Sequence, residues 1–225
     1  MAPTPAPAAT QIVEIPAPAA PAVNRAMGIG EARNPEPFTL DQRLLDATSR
    51  NDRPTIDKAL ELGAKIQAKD DLGRSTLFRA VMDAGSLDLV RWLHEKGVPV
   101  DDADVSGRTP LSFAADYGYL EIVRYLVAQG AAIDRRDVQQ RTPLMHAAGG
   151  DHPDIIELLA EHGADINTRD QFGDTPLIAA CAKGNASSAA LLLQRGADTT
   201  IQDQEGRTAK ERSAPDTAPC RSLPK

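Results

Sequence analysis

The 225-residue chain carries 25 lysines and arginines against 32 aspartates and glutamates, a net charge of −7 at neutral pH. This balance argues against a general nucleic-acid or anionic-membrane surface and leaves room for a basic protein partner. No apolar run approaches the ~18 residues that a membrane-spanning helix needs.

Residues 1–37 hold eight of the 17 prolines and ten alanines. Proline at that density removes backbone donors and favours extended chain, so this segment is expected to be a disordered arm. It has no basic stretch followed by an apolar core, so it is not an ordinary secretory signal. Its one apolar cluster is Ile12-Val13-Glu14-Ile15. A spacer is the favoured reading of the arm, with a short docking motif or a non-cleaved export signal as alternatives.

From residue 38 a 33-residue period takes over. Gly130 recurs as Gly163 and Gly196, and Thr109-Pro110-Leu111 recurs as Thr142-Pro143-Leu144 and Thr175-Pro176-Leu177. A fixed period of about 20–50 residues marks stacked repeats, in which a unit buries its apolar face only against its neighbours. The expected units are 38–69, 70–103, 104–136, 137–169 and 170–202, with a partial cap at 203–212 and a polar tail at 213–225.

The unit 38–69 is divergent. Lys58 stands where the later units have Trp92, Tyr125, Leu158 and Leu191. A charge at that position suits a terminal cap whose outer side meets water. In the unit 70–103 the interval from Gly73 to Gly107 is 34, while that from Gly85 to Gly118 is 33. The extra residue therefore falls between Leu77 and Gly85, which predicts a longer or bulged helix end at Val81-Met82-Asp83-Ala84. Trp92, the one tryptophan, is expected to pack between repeats.

The unit 104–136 spells the pattern most fully. Thr109 is placed to cap a helix, and Pro110 suits the first helical position, where no N–H is needed. Leu111, Ala114 and Ala115 share one face, and Gly118 ends the helix in the left-handed conformation. Leu120, Ile122, Val123, Leu126 and Val127 then form a second helix with a wide apolar stripe, closed by Gly130. In the unit 137–169, Gln140 replaces the hairpin glycine and Asp151 the inter-helix glycine, while Pro153 opens the second helix. In the unit 170–202, Ser188 and Ala189 stand where Ile122 and Val123 stood. Each forgoes roughly 1–3 kcal/mol of burial. Residues from about 184 onward are therefore expected to open before the middle units. The cap puts Ala209 in the proline position, and the tail beyond it reads as solvated, with a docking motif as the alternative.

D-x-x-G-R-T-P-L with A-A, then G-x-L-E-I-V, then G-A: this pattern resembles the ankyrin repeat. The resemblance implies an all-α repeat solenoid of stacked helix-turn-helix ankyrin units with projecting β-hairpin loops. It implies that protein partners bind on the concave face, and it is silent on which partners.

Catalytic chemistry is not expected, and neither is a cofactor or a metal site. His94, His146, His152 and His162 do not pair at a convincing metal spacing. His146 aligns with Phe113 and reads as a packed residue. Cys181 aligns with the small Ala115 and Ala148 and reads as an inert core thiol, while Cys220 falls in the tail. A disulfide is not expected, which points to the cytoplasm, with secretion as an effector the alternative. The recurring Asp104, Asp137, Asp170 and Asp203 support turns through their side-chain acceptors.

What remains is a surface. Mapping hairpin tips and exposed inner-helix positions onto this chain gives Leu72 and Arg74, Met82 and Asp83, Val105 and Arg108, then Asp116 and Tyr117. Further along come Val138, Gln139 and Arg141, followed by Gln171, Phe172 and Asp174, with Lys183. Tyr117 and Phe172 are the favoured anchors, because aromatic groups are enriched in binding hot spots. The expected function is non-enzymatic binding of a protein partner as an adaptor, inhibitor or effector, by a monomer or a hetero-complex subunit. The alternative is an accessory subunit of a larger stable complex, tethered also by arm and tail.

Overall fold

The computed structural model describes residues 39–215 and 217–223. The expectations for the arm at 1–37 lie outside them. The described helices come in pairs: α1 (Leu40–Ser49) with α2 (Arg53–Glu61), α3 (Thr76–Arg79) with α4 (Leu87–Glu95), and α5 (Pro110–Tyr117) with α6 (Leu120–Ala128). The pairs α7 (Pro143–Gly150) with α8 (Pro153–Glu161) and α9 (Pro176–Lys183) with α10 (Ala186–Gln194) follow, and α11 (Ala218–Arg221) comes last. The result is the expected all-α solenoid, with the odd-numbered helices α5, α7 and α9 packed in succession.

Each inner helix starts as the sequence dictates. The hydroxyls of Ser75, Thr109, Thr142 and Thr175 accept the N–H three residues on, and proline fills the first position of α5, α7 and α9. Gly118 ends α5 at φ 78°, and a Cβ there would also lie 2.6 Å from the His152 ring. Asp151 adopts the same left-handed geometry at φ 58° without glycine, as does Gln140 in its hairpin at φ 62°. After α3 the chain widens into a π-helical turn, Ala80–Ala84, which absorbs the extra residue of that unit as expected.

Burial follows the apolar stripes. Leu111, Ala114, Ala115, Val123 and Leu126 are wholly buried, as are Leu144, Ile156, Leu159, Leu177 and Leu192. At the N-terminal end Leu44, Ala47 and Ile56 are wholly buried while Lys58 is exposed. Trp92 packs against the core between units, with the Arg53 guanidinium of the preceding unit 3.7 Å over its ring.

The hairpins are shorter than strands. Each is closed by two backbone bonds, such as Asp104 N–H to Arg108 O with Gly107 N–H to Asp104 O, or Asp137 N–H to Arg141 O with Gln140 N–H to Asp137 O, and the Asp carboxylate accepts N–H groups two and four residues on. Lys69 and Ser75 form an isolated antiparallel bridge.

The C-terminal end departs from expectation. Cys181 and Cys220 are joined in a disulfide, so Cys181 is not a free core thiol. The segment after residue 212 is not a solvated tail either. The Ala214 N–H and the Thr217 hydroxyl both donate to Cys181 O, at 2.9 and 3.3 Å, and Cys220 and Leu223 are buried. The physical reason is continuation of the stack. His152 donates to Asp116 O, Asn185 to Ala148 O and Gly149 O, and Thr217 to Cys181 O, each tying a unit to the carbonyl end of the previous inner helix. Residues 203–223 are a shortened last unit that performs the same contact.

Candidate functional site

The hairpins stand beside the inner helices, and the two line a groove. Successive hairpins are bonded tip to tip through the backbone. Val105 N–H donates to Leu72 O at 2.8 Å, and Val138 to Ser106 O, Gln171 to Gln139 O and Gln204 to Phe172 O at 2.9 Å each. These links hold the tips at the repeat spacing, so side chains on them form a fixed row. Six large apolar side chains among the described residues are about half or more exposed, and four of them, Leu72, Val105, Val138 and Phe172, ride on this row. A fifth, Tyr117, projects from the end of α5. It lies flat on Phe113, with ring centroids 4.5 Å apart and planes 9° apart, and Tyr119 follows at 6.2 Å.

Three hollows divide the groove between units. The middle one, about 440 Å3, is walled by Arg108, Asp116, Val138, Gln139, Arg141 and Lys183 of the expected residues, and by Asp137, Met145 and His146 beside them. Arg108 is bonded to Asp116 at 2.9 Å and lies over Phe113, Arg141 to Asp170 at 3.3 Å, and the Lys183 ammonium to Gly149 O at 3.0 Å. The N-terminal hollow, about 300 Å3, holds Leu72 and Arg74 with Asp46, Asp70, Asp71 and Arg79. Arg74 is anchored there to Asp70 at 2.7 Å and touches Met82. Asp83, on the π-helical turn, pairs with Arg79 at 2.9 Å. The C-terminal hollow, about 380 Å3, joins Arg141, Phe172 and Asp174 to Asp203, Arg207 and Arg212. Gln171 is exposed at its tip, and its carbonyl accepts from the Gln204 amide.

Of the fifteen expected residues, Asp174 alone is buried. It occupies the position that holds Arg74, Arg108, Arg141 and Arg207 in the other units. Burial pushes its carboxyl above the ordinary carboxylate range, with repulsion from Asp170 and Asp203 adding to it, against the attraction of Arg212 and Arg141. Arg212 reaches it at 3.2 Å and Asp203 at 3.5 Å.

Two features of the walls are not legible in the residue pattern. One is the arrival of Arg212 from the shortened last unit. The other is a buried pair: His146 Nε2 lies 2.9 Å from Asp137 Oδ2, with both side chains less than a tenth exposed. Burial alone would raise the Asp137 pKa, but the hydrogen bond from His146 and the N–H groups of Arg141 and Gln139 outweigh it and hold the group below its ordinary value. His146 is thus packed, as expected, and it also pins the hairpin above it to the inner helix. The signal available was a polar residue at the groove-facing position that Phe113 fills one unit earlier. Among the described residues no cluster of three or more His, Cys, Asp or Glu side chains is placed to hold a metal, and no helix is long and apolar enough to cross a membrane.

Comparison with protein families agrees with this architecture. The family model for ankyrin repeats (3 copies) matches residues 44–137 and 129–203, more than half of the chain. No curated protein matches the sequence.

Proposed function

The chain belongs to the ankyrin-repeat family, and on that premise we propose that it docks a segment of a protein partner along the hairpin tips and the groove beside them. Ankyrin repeats are in general protein–protein interaction modules. The observation that supports this face is the row of Leu72, Val105, Val138 and Phe172, about half or more exposed on tips that are bonded to one another. Exposed apolar groups held rigidly in line lose little conformational freedom when a partner covers them. The hollows between the tips offer charged and polar walls for the partner's side chains. An adaptor, an inhibitor or an effector would fit such a face, and the role proposed is binding rather than catalysis.

The test is the pair Tyr117→Ala with Phe172→Ala. Each ring is about half exposed, so the stack loses little when it is removed, roughly 0.5 kcal/mol. An aromatic anchor buried in an interface contributes about 2 kcal/mol or more, a loss of roughly thirtyfold in affinity. With the partner recovered by affinity purification, titration calorimetry is expected to show that loss while the thermal melt barely moves. Unchanged affinity with an unchanged melt would place the interface elsewhere.

A further inference from the structure

Cys181 sits on α9 where earlier units have Ala115 and Ala148, facing the place of the next inner helix. No full helix follows. Residues 208–212 make one turn, with Arg212 N–H bonded to Thr208 O, and the chain then folds back so that α11 lies on α10. A four-residue helix does not hold itself. The buried anchors of α11 and its end are Cys220 and Leu223, and of the three buried side chains of α10 Ser188 and Ala189 are small and Leu192 alone is large. Apolar contact therefore contributes little to docking this segment, and the bond from Cys220 to Cys181 contributes much of what remains.

We propose that Cys181 and Cys220 form a redox latch on the last unit. Oxidised, the latch holds residues 203–223 on the stack as its closing unit. Reduced, α11 detaches, and Arg212 is no longer held against Asp174 and Asp203 in the C-terminal hollow. The effect on binding rests on the groove being the docking face, whereas the latch itself does not.

The chemistry is thiol–disulfide exchange with a low-molecular-weight disulfide such as oxidised glutathione. Both cysteine residues are wholly buried when joined, so exchange begins when α11 lifts, a local opening of a chain end. The Cys220 thiolate attacks one glutathione sulfur and releases the other as a thiol. The Cys181 thiolate then displaces the second glutathione from Cys220. Two electrons and two protons pass from the cysteines to the oxidant, which leaves as two glutathione thiols. A lasting bond calls for an oxidising compartment, so the ground for a cytoplasmic setting, two thiols kept apart, falls away.

The full chain equilibrated in oxidised or reduced glutathione buffer provides the test, read by thiol alkylation with mass spectrometry and by amide exchange. In the oxidised buffer neither cysteine is expected to alkylate, and amides across 217–223 exchange slowly. Reduction is expected to speed their exchange at least tenfold and to leave 110–161 unchanged. Cys220→Ser gives the same fast exchange in both buffers. Two free thiols on the folded chain in oxidised buffer would overturn the latch, as would slow exchange at 217–223 after reduction. Loss of protection throughout the stack on reduction would overturn it too, since the bond would then support the whole fold. If Cys220→Ser does not fold, the reduced parent chain still decides. No partner enters these readings, so they stand or fall apart from the proposed docking face.

Discussion

The two ends of the stack solve one problem in different ways. A terminal unit has a neighbour on one side only, so its outer surface must tolerate water. At the N-terminal end the solution is compositional. Thr39 and Gln42 form a reciprocal cap on α1, Asp52 caps α2, and Lys58 takes a position that is apolar in the later units. The Asp41 carboxylate accepts the Lys65 N–H at 2.7 Å, and Leu44 and Ile56 still anchor the unit with complete burial. At the C-terminal end the last unit is shortened, its support α10 is thin, and a covalent bond replaces missing apolar area. Apolar anchoring does not respond to redox conditions, whereas a disulfide does, so among the described residues it is the C-terminal end whose stability follows its redox surroundings.

The largest expected effect breaks the C-terminal solution. The disulfide spans 39 residues. In the chain-entropy account, closing a loop of that size contributes about 4 kcal/mol. Reduction is therefore expected to lower the opening free energy of residues 184–223, measured by native-state exchange, by up to about 4 kcal/mol. In the reduced chain this end opens before the middle units; in the oxidised chain the unit 38–69 opens first. An unchanged order of opening would show that the bond does not set it. The complementary change is Ile56→Ala, which empties a wholly buried site in the N-terminal unit. A loss of about 3 kcal/mol is expected there, making the N-terminal end the first to open even after reduction. If the C-terminal end still opened first, the balance between the ends would be misjudged.

The sequence makes the regular parts of this comparison readable and hides the irregular ones. The threonine caps, the left-handed Asp151 and Gln140 and the widened turn at Ala80–Ala84 follow from a 33-residue register and one inserted residue. The exposed tips Leu72, Val105, Val138 and Phe172 follow from the same register. The last unit escapes it. Thr217 makes the contact of Asn185 and His152 but stands one residue short of the period, because the inner helix before it is cut to one turn. Apolar content falls at the same place, so neither spacing nor hydrophobicity flags a packed segment, and Cys220 looks stranded. The Asp137–His146 contact is hidden for another reason. Asp137 has an evident local task in its turn, and the contact to His146 is a second use of its other oxygen.

A smaller effect sharpens the C-terminal side. Ser188 is wholly buried on α10, and its hydroxyl has no hydrogen-bond partner. A buried polar group left unpaired costs about 1 kcal/mol or more. Ser188→Ala removes the hydroxyl at nearly constant shape and is expected to stabilise residues 184–223 by about 1 kcal/mol, read from the same exchange profile. A loss of stability would mean that the hydroxyl finds a partner in solution.

The smallest expected effect is a pH dependence of opposite sign at two carboxylates. Asp137 is held below its ordinary value in the folded chain, burial being outweighed by His146 and the hairpin N–H groups. Its contribution is therefore present above about pH 4 and lost as pH falls through the depressed folded value. Asp174 is raised, chiefly by burial and then by Asp170 and Asp203, against Arg212 and Arg141. The fold favours its neutral form, so its contribution is present below about pH 4 and lost as pH rises through the elevated folded value. Thermal melts between pH 3 and pH 7 separate the two. Asp137→Asn is expected to destabilise at pH 7 by more than at pH 3. Asp174→Asn is expected to gain on the parent chain as pH rises. Reduction should enlarge that gain, because Arg212, which reaches Asp174 at 3.2 Å from the last unit, is freed with the latch and its attraction is lost. A penalty for Asp174→Asn that grows with pH would mean that Arg212 outweighs burial and repulsion. The last unit would then be held by its ion pair as much as by its disulfide, and the contrast between the two ends would shrink accordingly.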